Sequence, residues 1–177
     1  MRRVARYLSV AATVALAGCG ASKTGTTATT ATTGAPVASV SPCATAQLAA
    51  SLGQSNGAAG TIYYPLNLRN TSSSTCTIEG YAAVSFVAGA DGHQVGQAAK
   101  QDAGSTATVT LSPGQTASAR LGIVAAGNFP PDCTMTAVSG LRVFPPGQGA
   151  SLVVGHEDTA CADPKYTTLH VGPLGNA

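Results

Sequence analysis

Thr61-Ile62-Tyr63-Tyr64-Pro65-Leu66-Asn67-Leu68-Arg69 is the stretch on which the fold turns. Ile62, Tyr64, Leu66 and Leu68 occupy every second position, and Tyr63, Pro65, Asn67 and Arg69 fill the places between. A period of two sorts side chains onto the two faces of a strand, whereas a helix face repeats at about 3.6 residues. The segment reads as a half-buried strand. Pro65 has no N–H to give to a ladder, which predicts an edge strand or a bulge.

The same period recurs on either side. Val84, Phe86 and Ala88 alternate and run into a turn at Ala90-Asp91-Gly92-His93. Ala107, Val109 and Leu111 alternate with threonines. Ser112-Pro113-Gly114-Gln115 follows, with Pro and Gly at the centre of a type II turn, and Ala117, Ala119, Leu121 and Ile123 continue beyond it. These two runs read as a hairpin. Further strands are expected at Met135–Val138, Leu141–Phe144, Leu152–Val154 and Thr167–Val171. Leu48, Ala50 and Leu52 keep the period of two, although the Ala-rich run around them also suits a short helix. Seven to nine short strands divided by turns predict an all-β, antiparallel β-sandwich over residues 43–174. No strand alternates with a long helix, which disfavours a Rossmann or barrel enzyme.

Composition narrows the function classes. Of 177 residues, 44% are hydrophobic and 9% charged, which suits one folded domain with tails. Nine Lys and Arg stand against seven Asp and Glu, but Arg2, Arg3 and Arg6 lie in the first six positions, and without them the count is six against seven. Such a domain has no basic excess for nucleic acid, and no nucleic-acid partner is expected. The absence of Trp and an aromatic content of 5% argue against a large aromatic-lined pocket.

Residues 1–18 read as a lipoprotein signal peptide. Arg2, Arg3 and Arg6 form a positive start, an apolar run from Leu8 to Gly18 follows, and Leu16-Ala17-Gly18-Cys19 resembles the bacterial lipobox. The apolar run is too short to span a bilayer, which takes about 20 residues. Cys19 is the expected lipidation site; two acyl chains, at about 0.8 kcal/mol per buried methylene, hold a chain on a membrane where one does not. Arg2-Arg3 also allows twin-arginine export. Residues 19–42, rich in Thr, Ala, Gly and Ser with Lys23 as their one charge, read as a disordered linker, a tether with a mean reach of about 25 Å. Its threonines suit O-glycosylation as well as a plain spacer.

Four cysteines remain: Cys43, Cys76, Cys133 and Cys161. An even count outside the cytoplasm points to two disulfides, and four cysteines allow three connectivities among which sequence alone does not choose. Neighbour pairing is expected, Cys43–Cys76 and Cys133–Cys161, which staples the domain in two halves. Each loop of about thirty residues would contribute roughly 3.5–4 kcal/mol on the chain-entropy account. No C-x-x-C pair is present, which disfavours zinc.

The run from Asn70 to Phe86, with Cys76-Thr77-Ile78, Gly80-Tyr81 and Val84-Ser85-Phe86, resembles the central signature of an actinobacterial domain-of-unknown-function family, number 4232, of secreted proteins and lipoproteins. Leu111-Ser112-Pro113-Gly114 with Ala117 and Ala119, and Cys133 followed by Leu141 to Gly147 and then Cys161, extend the resemblance over Cys43 to Val171. It implies an immunoglobulin-like sandwich of no established activity, so no catalytic or binding residues carry over. Ala82 stands where the family usually has Pro. Gly80 is expected to take a backbone conformation closed to other residues, and Tyr81 to be core.

Gly53-Gln54-Ser55-Asn56-Gly57 matches a nucleophile elbow, but that needs a strand before it and a helix after it, and a polar loop is the better reading. His156, Glu157 and Asp158 are the metal-ligand candidates, with Asp163 nearby; neighbours on a strand usually diverge, so an exposed polar loop is expected and no metal or cofactor. Asn70-Thr71-Ser72 fits the N-glycosylation pattern without weight in a bacterial lipoprotein. His93 and His170 are expected to face solvent. Tyr63, Arg69 and Arg120 lie on outward strand positions, and Tyr and Arg are favoured at interfaces. The reading as a whole is a non-enzymatic lipoprotein at the extracytoplasmic face of the cell membrane or partly secreted. It is anchored to the membrane through Cys19, and its sandwich serves as a binding or structural module for an envelope protein or a cell-wall glycan. A small-ligand or metal-binding accessory of envelope transport or stress response is the alternative, and an envelope hydrolase the least favoured.

Overall fold

The structure, a computed structural model, describes residues 40–177. The expected signal peptide, the expected lipidation site Cys19 and the expected tether as far as residue 39 lie outside them. The strands in chain order are β1 (Leu48–Leu52), β2 (Asn56–Ala58), β3 (Thr61–Asn70), β4 (Cys76–Ile78), β5 (Ala83–Ala88), β6 (His93–Val95), β7 (Lys100–Gln101), β8 (Val109–Leu111), β9 (Thr116–Val124), β10 (Met135–Phe144), β11 (Leu152–Cys161), β12 (Leu169–Val171) and β13 (Gly175–Asn176). Short 3-10 turns at Thr45–Gln47 and Ala126–Asn128 are the only helical pieces among the described residues.

The larger sheet has the order β1-β3-β9-β12-β7, with β2 added to β3 and β13 to β9; the smaller has the order β11-β10-β5-β6; β4 and β8 pair by themselves. The two sheets face each other across one core, giving an all-β, sandwich-like domain. Leu66, Leu68, Leu121, Ile123, Leu169 and Val171 fill it from the larger sheet, and Val84, Phe86, Leu141 and Val143 from the smaller. Ala117 and Ala119 sit opposite Leu68 and Leu66 in the β3–β9 register, so each large side chain has a small neighbour. The two disulfides join Cys43 to Cys76 and Cys133 to Cys161, with Cα separations of 4.9 and 5.8 Å. The first ties the segment before β1 to β4, near the end of β3; the second ties the start of β10 to the end of β11.

Five expectations need correction. First, β3 is no edge strand: it lies between β1 and β9. Pro65 is tolerated because its carbonyl, and with it its nitrogen, points toward the break between β1 and β2, where Gly53 N–H donates to Pro65 O at 2.8 Å. Second, β8 and β9 are not a hairpin. The turn forms, with Gly114 at φ +82° and Gln115 N–H donating to Ser112 O at 3.0 Å. The strands then part, because β9 is paired by β3 on one side and by β12 and β13 on the other, which sends β8 to β4. Third, Met135–Val138 and Leu141–Phe144 are one strand, β10. Fourth, the strands number thirteen rather than seven to nine, since short pairings of two or three residues fill the ends of the sheets. Fifth, the sandwich is not wholly antiparallel: β7 runs parallel to β12, because the chain crosses from the smaller sheet to the larger after β6. The Leu48 region is the strand form of its two readings, and β13 pairs two residues past the expected limit at 174.

Candidate functional site

Strand register sets out the outward face of the larger sheet in rows. Asn56, Tyr63, Gly122, His170 and Lys100 are successive partners across β2, β3, β9, β12 and β7, and partners in register point to the same face. Pro65 and Arg120 form the next row, Asn67 and Ser118 the next, and Arg69 and Thr116 the last. Their inward neighbours are the core leucines and alanines, so the hydrophobic alternation that builds the sandwich also delivers this polar face.

Gly122 shapes the centre of the face. A Cβ there would lie 3.0 Å from Cε1 of Tyr63, so the phenol ring lies across the sheet at a distance from which a larger residue would push it by a few tenths of an ångström. The Arg120 guanidinium carbon stands 4.7 Å from the centre of that ring, in cation–π range. Arg120 is 3.4 Å from one carboxylate oxygen of Asp102, and the other is 3.2 Å from Nδ1 of His170. Asp102 is placed by its backbone: its N–H donates to Val171 O at 2.9 Å, and its carbonyl accepts the Tyr81 hydroxyl at 2.9 Å. Tyr81 packs against the core as expected, and it also steadies this loop. Gly80 before it has φ +98°. Ser118 donates to the Asn67 side-chain oxygen at 2.7 Å. An open depression of about 460 Å³ lies here, its lining including Asn56, Tyr63, Pro65, Ser118 and Arg120.

The sequence candidates fare differently. Tyr63 and Arg120 come together. Arg69 shares their face but sits six residues from Tyr63 along β3, about 20 Å away, where its Nε donates to Gly114 O at 3.1 Å. His170 faces outward but is two-thirds covered and bonded to Asp102, whereas His93 is exposed beside Asp91. Neither Asp102 nor Lys100 carries a sequence signal; the parallel β7–β12 pairing brings both to the face.

His156, Glu157 and Asp158 lie on β11, not in a loop. His156 and Glu157 together oppose Ser139 of β10, a bulge between the Val138–Asp158 and Gly140–Gly155 pairs. Nε2 of His156 is buried 3.5 Å from Asp158, and its ring meets Tyr64 edge-on at 5.3 Å, while Glu157 is exposed. Among the described residues no three His, Cys, Asp or Glu side chains gather as a metal site. Asp163 belongs elsewhere, with Lys165 at 3.3 Å. Ser55 is exposed in the loop before β2, but Asn56 and Gly57, expected as part of the same polar loop, are strand instead, because they pair with Tyr63 and Ile62 of β3. Asn70 is fully buried and unavailable to a sugar.

A second polar group braces the far loops. Lys165 reaches Asp132 at 2.7 Å and Tyr166 hydroxyl donates to Asp132 at 2.8 Å, with Phe129 stacked at a tilt on Tyr166. The Lys165 hydrogen bond holds the Asp132 carboxyl below its ordinary range, and Asp132 in turn raises Lys165. The Tyr166 phenol is raised by desolvation first and by Asp132 second.

The model of a domain of unknown function, DUF4232, matches residues 43–175. No curated protein and no solved structure matches the chain.

Proposed function

The chain belongs to the DUF4232 family, and on that premise we propose that its domain is a non-catalytic binding module of immunoglobulin-like architecture, held by a lipid on Cys19 at the extracytoplasmic face of the membrane. The binding surface is the outward face of the larger sheet. The observation that carries this reading is the Tyr63 ring laid on Gly122 with Arg120 stacked against it, beside the depression of about 460 Å³. Tyr and Arg dominate the energetics of recognition surfaces, and here they are pre-arranged rather than free to wander. Two disulfides in a domain with many small core side chains fit an oxidising compartment. The resemblance of Leu16-Ala17-Gly18-Cys19 to a bacterial lipobox fits the anchor.

A photo-crosslinking residue placed at Ser118 in cells tests the surface. A crosslinked species from Ser118, lost on Tyr63→Ala and absent when the probe sits at Val153 on β11, is the expected result; equal labelling from both positions overturns it. Cys19→Ser should release the protein from the membrane fraction, and its retention there would remove the anchor from the proposal.

A further inference from the structure

We infer that the outward face of the larger sheet takes an anionic polysaccharide strand. This rests on the binding face proposed above and names its ligand class.

The described residues hold five Lys and Arg against seven Asp and Glu, so the domain as a whole is acidic. Three of those five cations are nonetheless gathered: Arg69, Arg120 and Lys100 stand on this one face, joined by His170, with Asp102 as the one acidic side chain among them, while Arg142 is bonded to Gly92 and Lys165 to Asp132. Glu79, Asp91, Asp132, Glu157, Asp158 and Asp163 all lie on other elements. The three cations are strung out. In register units, Lys100 and Arg120 are about 12 Å apart and Arg120 and Arg69 about 14 Å. A single small anion cannot bridge them, but a chain with repeated anionic groups can.

Asp102 already plays the part of an anion here. Its carboxylate lies between Arg120 and His170, the longer contact being the 3.4 Å one to Arg120, whose side chain is 64% exposed. Arg120 has five N–H donors and uses one on Asp102, which leaves a fork for an incoming carboxylate or phosphodiester. Around it stand amides and hydroxyls, Asn56, Asn67 and Ser118, and the flat faces of Tyr63 and Pro65. These suit hydroxyl-bearing rings.

Other partners fit less well. The core of a protein interface is depleted of charged residues, whereas this face sets Lys100, Asp102, Arg120 and Arg69 around a single aromatic ring. An anionic membrane surface is recognised by clusters of about four to eight Lys and Arg; three are present.

The test is calorimetric titration of the purified full chain with polygalacturonate, neutral dextran and vesicles containing phosphatidylglycerol. Polygalacturonate should bind, with an affinity that falls as salt rises because exposed charges are screened. Arg120→Ala should weaken it about tenfold, the worth of a charge-assisted hydrogen bond. Asp102→Asn should strengthen it severalfold by removing the competing carboxylate, a gain no structural role for Asp102 would give. Val153→Ser, on the other sheet, should change nothing. Dextran binding as tightly, salt-independent binding, vesicles bound in place of the polysaccharide, or indifference to Arg120→Ala each overturns the ligand class. If polygalacturonate fails while the Ser118 crosslink persists, the ligand class falls and the binding face stands; if both fail, both fall.

Discussion

Asn70 closes the larger sheet from the inside. Its side-chain nitrogen donates to Ser74 O at 2.8 Å and Leu111 O at 2.9 Å, and its side-chain oxygen accepts from Ser72 N–H at 3.0 Å and Ser72 hydroxyl at 2.8 Å. Its backbone holds the β8–β9 turn through Gly114 and Gln115. Asn70→Ala strands several buried groups at once, each costing about 1–3 kcal/mol. The expected loss in a urea titration is about 3 kcal/mol, whereas Asn67→Ala, at a partly exposed pair with Ser118, should cost under about 1 kcal/mol. Equal effects would mean the knot carries no special weight. A glycosylation pattern of three residues could not reveal this role, because it encodes nothing about burial.

At the scale of elements, the β9–β10 and β11–β12 loops have no sheet to hold them, and the Asp132–Lys165–Tyr166 group does so instead. The carboxyl of Asp132 is lowered from its ordinary 3.8, so its contribution is present above that value and is lost as pH falls through the lower folded-state value. Lys165 is raised, so its contribution is present below its ordinary 10.5 and is lost only above it. Thermal melts should therefore show Asp132→Asn below the wild type at neutral pH, with the difference closing in strong acid; a gap that persists there assigns the effect to something other than this charge. The main strands were legible at this scale, but β2, β4, β6, β7 and β13, of two or three residues each, were not, and neither was partner choice. The Pro-Gly turn after β8 forms as expected, and yet its two strands join different sheets, since a turn sets only a local reversal and the vacant edge is set by distant chain.

Over the whole molecule, the two disulfides serve opposite ends of the sandwich. Cys76 pairs in register with Leu111 near the end of β3, while Cys161 lies by the loops that meet its start, where Asn128 donates to Gly60 O. Sequence separations of 33 and 28 residues give nearly equal loop-closure terms, about 3.5–4 kcal/mol each. Replacing Cys133 and Cys161 together by Ser should lower stability by about that amount and open residues 125–134 and 162–168 to protease first; cleavage appearing instead near Cys43 would show that the two staples do not act locally.

The amino-acid sequence alone determined the β class, the inward and outward sets on the main strands, the principal turns and the cysteines available for pairing, because each pattern follows from neighbours two to four residues apart. Tertiary structure decided the rest. It made β3 central by turning Pro65 to a gap in its neighbour, sent β8 away from β9, and ran β7 parallel beside β12 so that Lys100 and Asp102 reached a face begun by Tyr63 and Arg120. The physical reason is that a side chain's face is a local property of the strand that bears it, while the company on that face depends on which strands find one another across long stretches of chain.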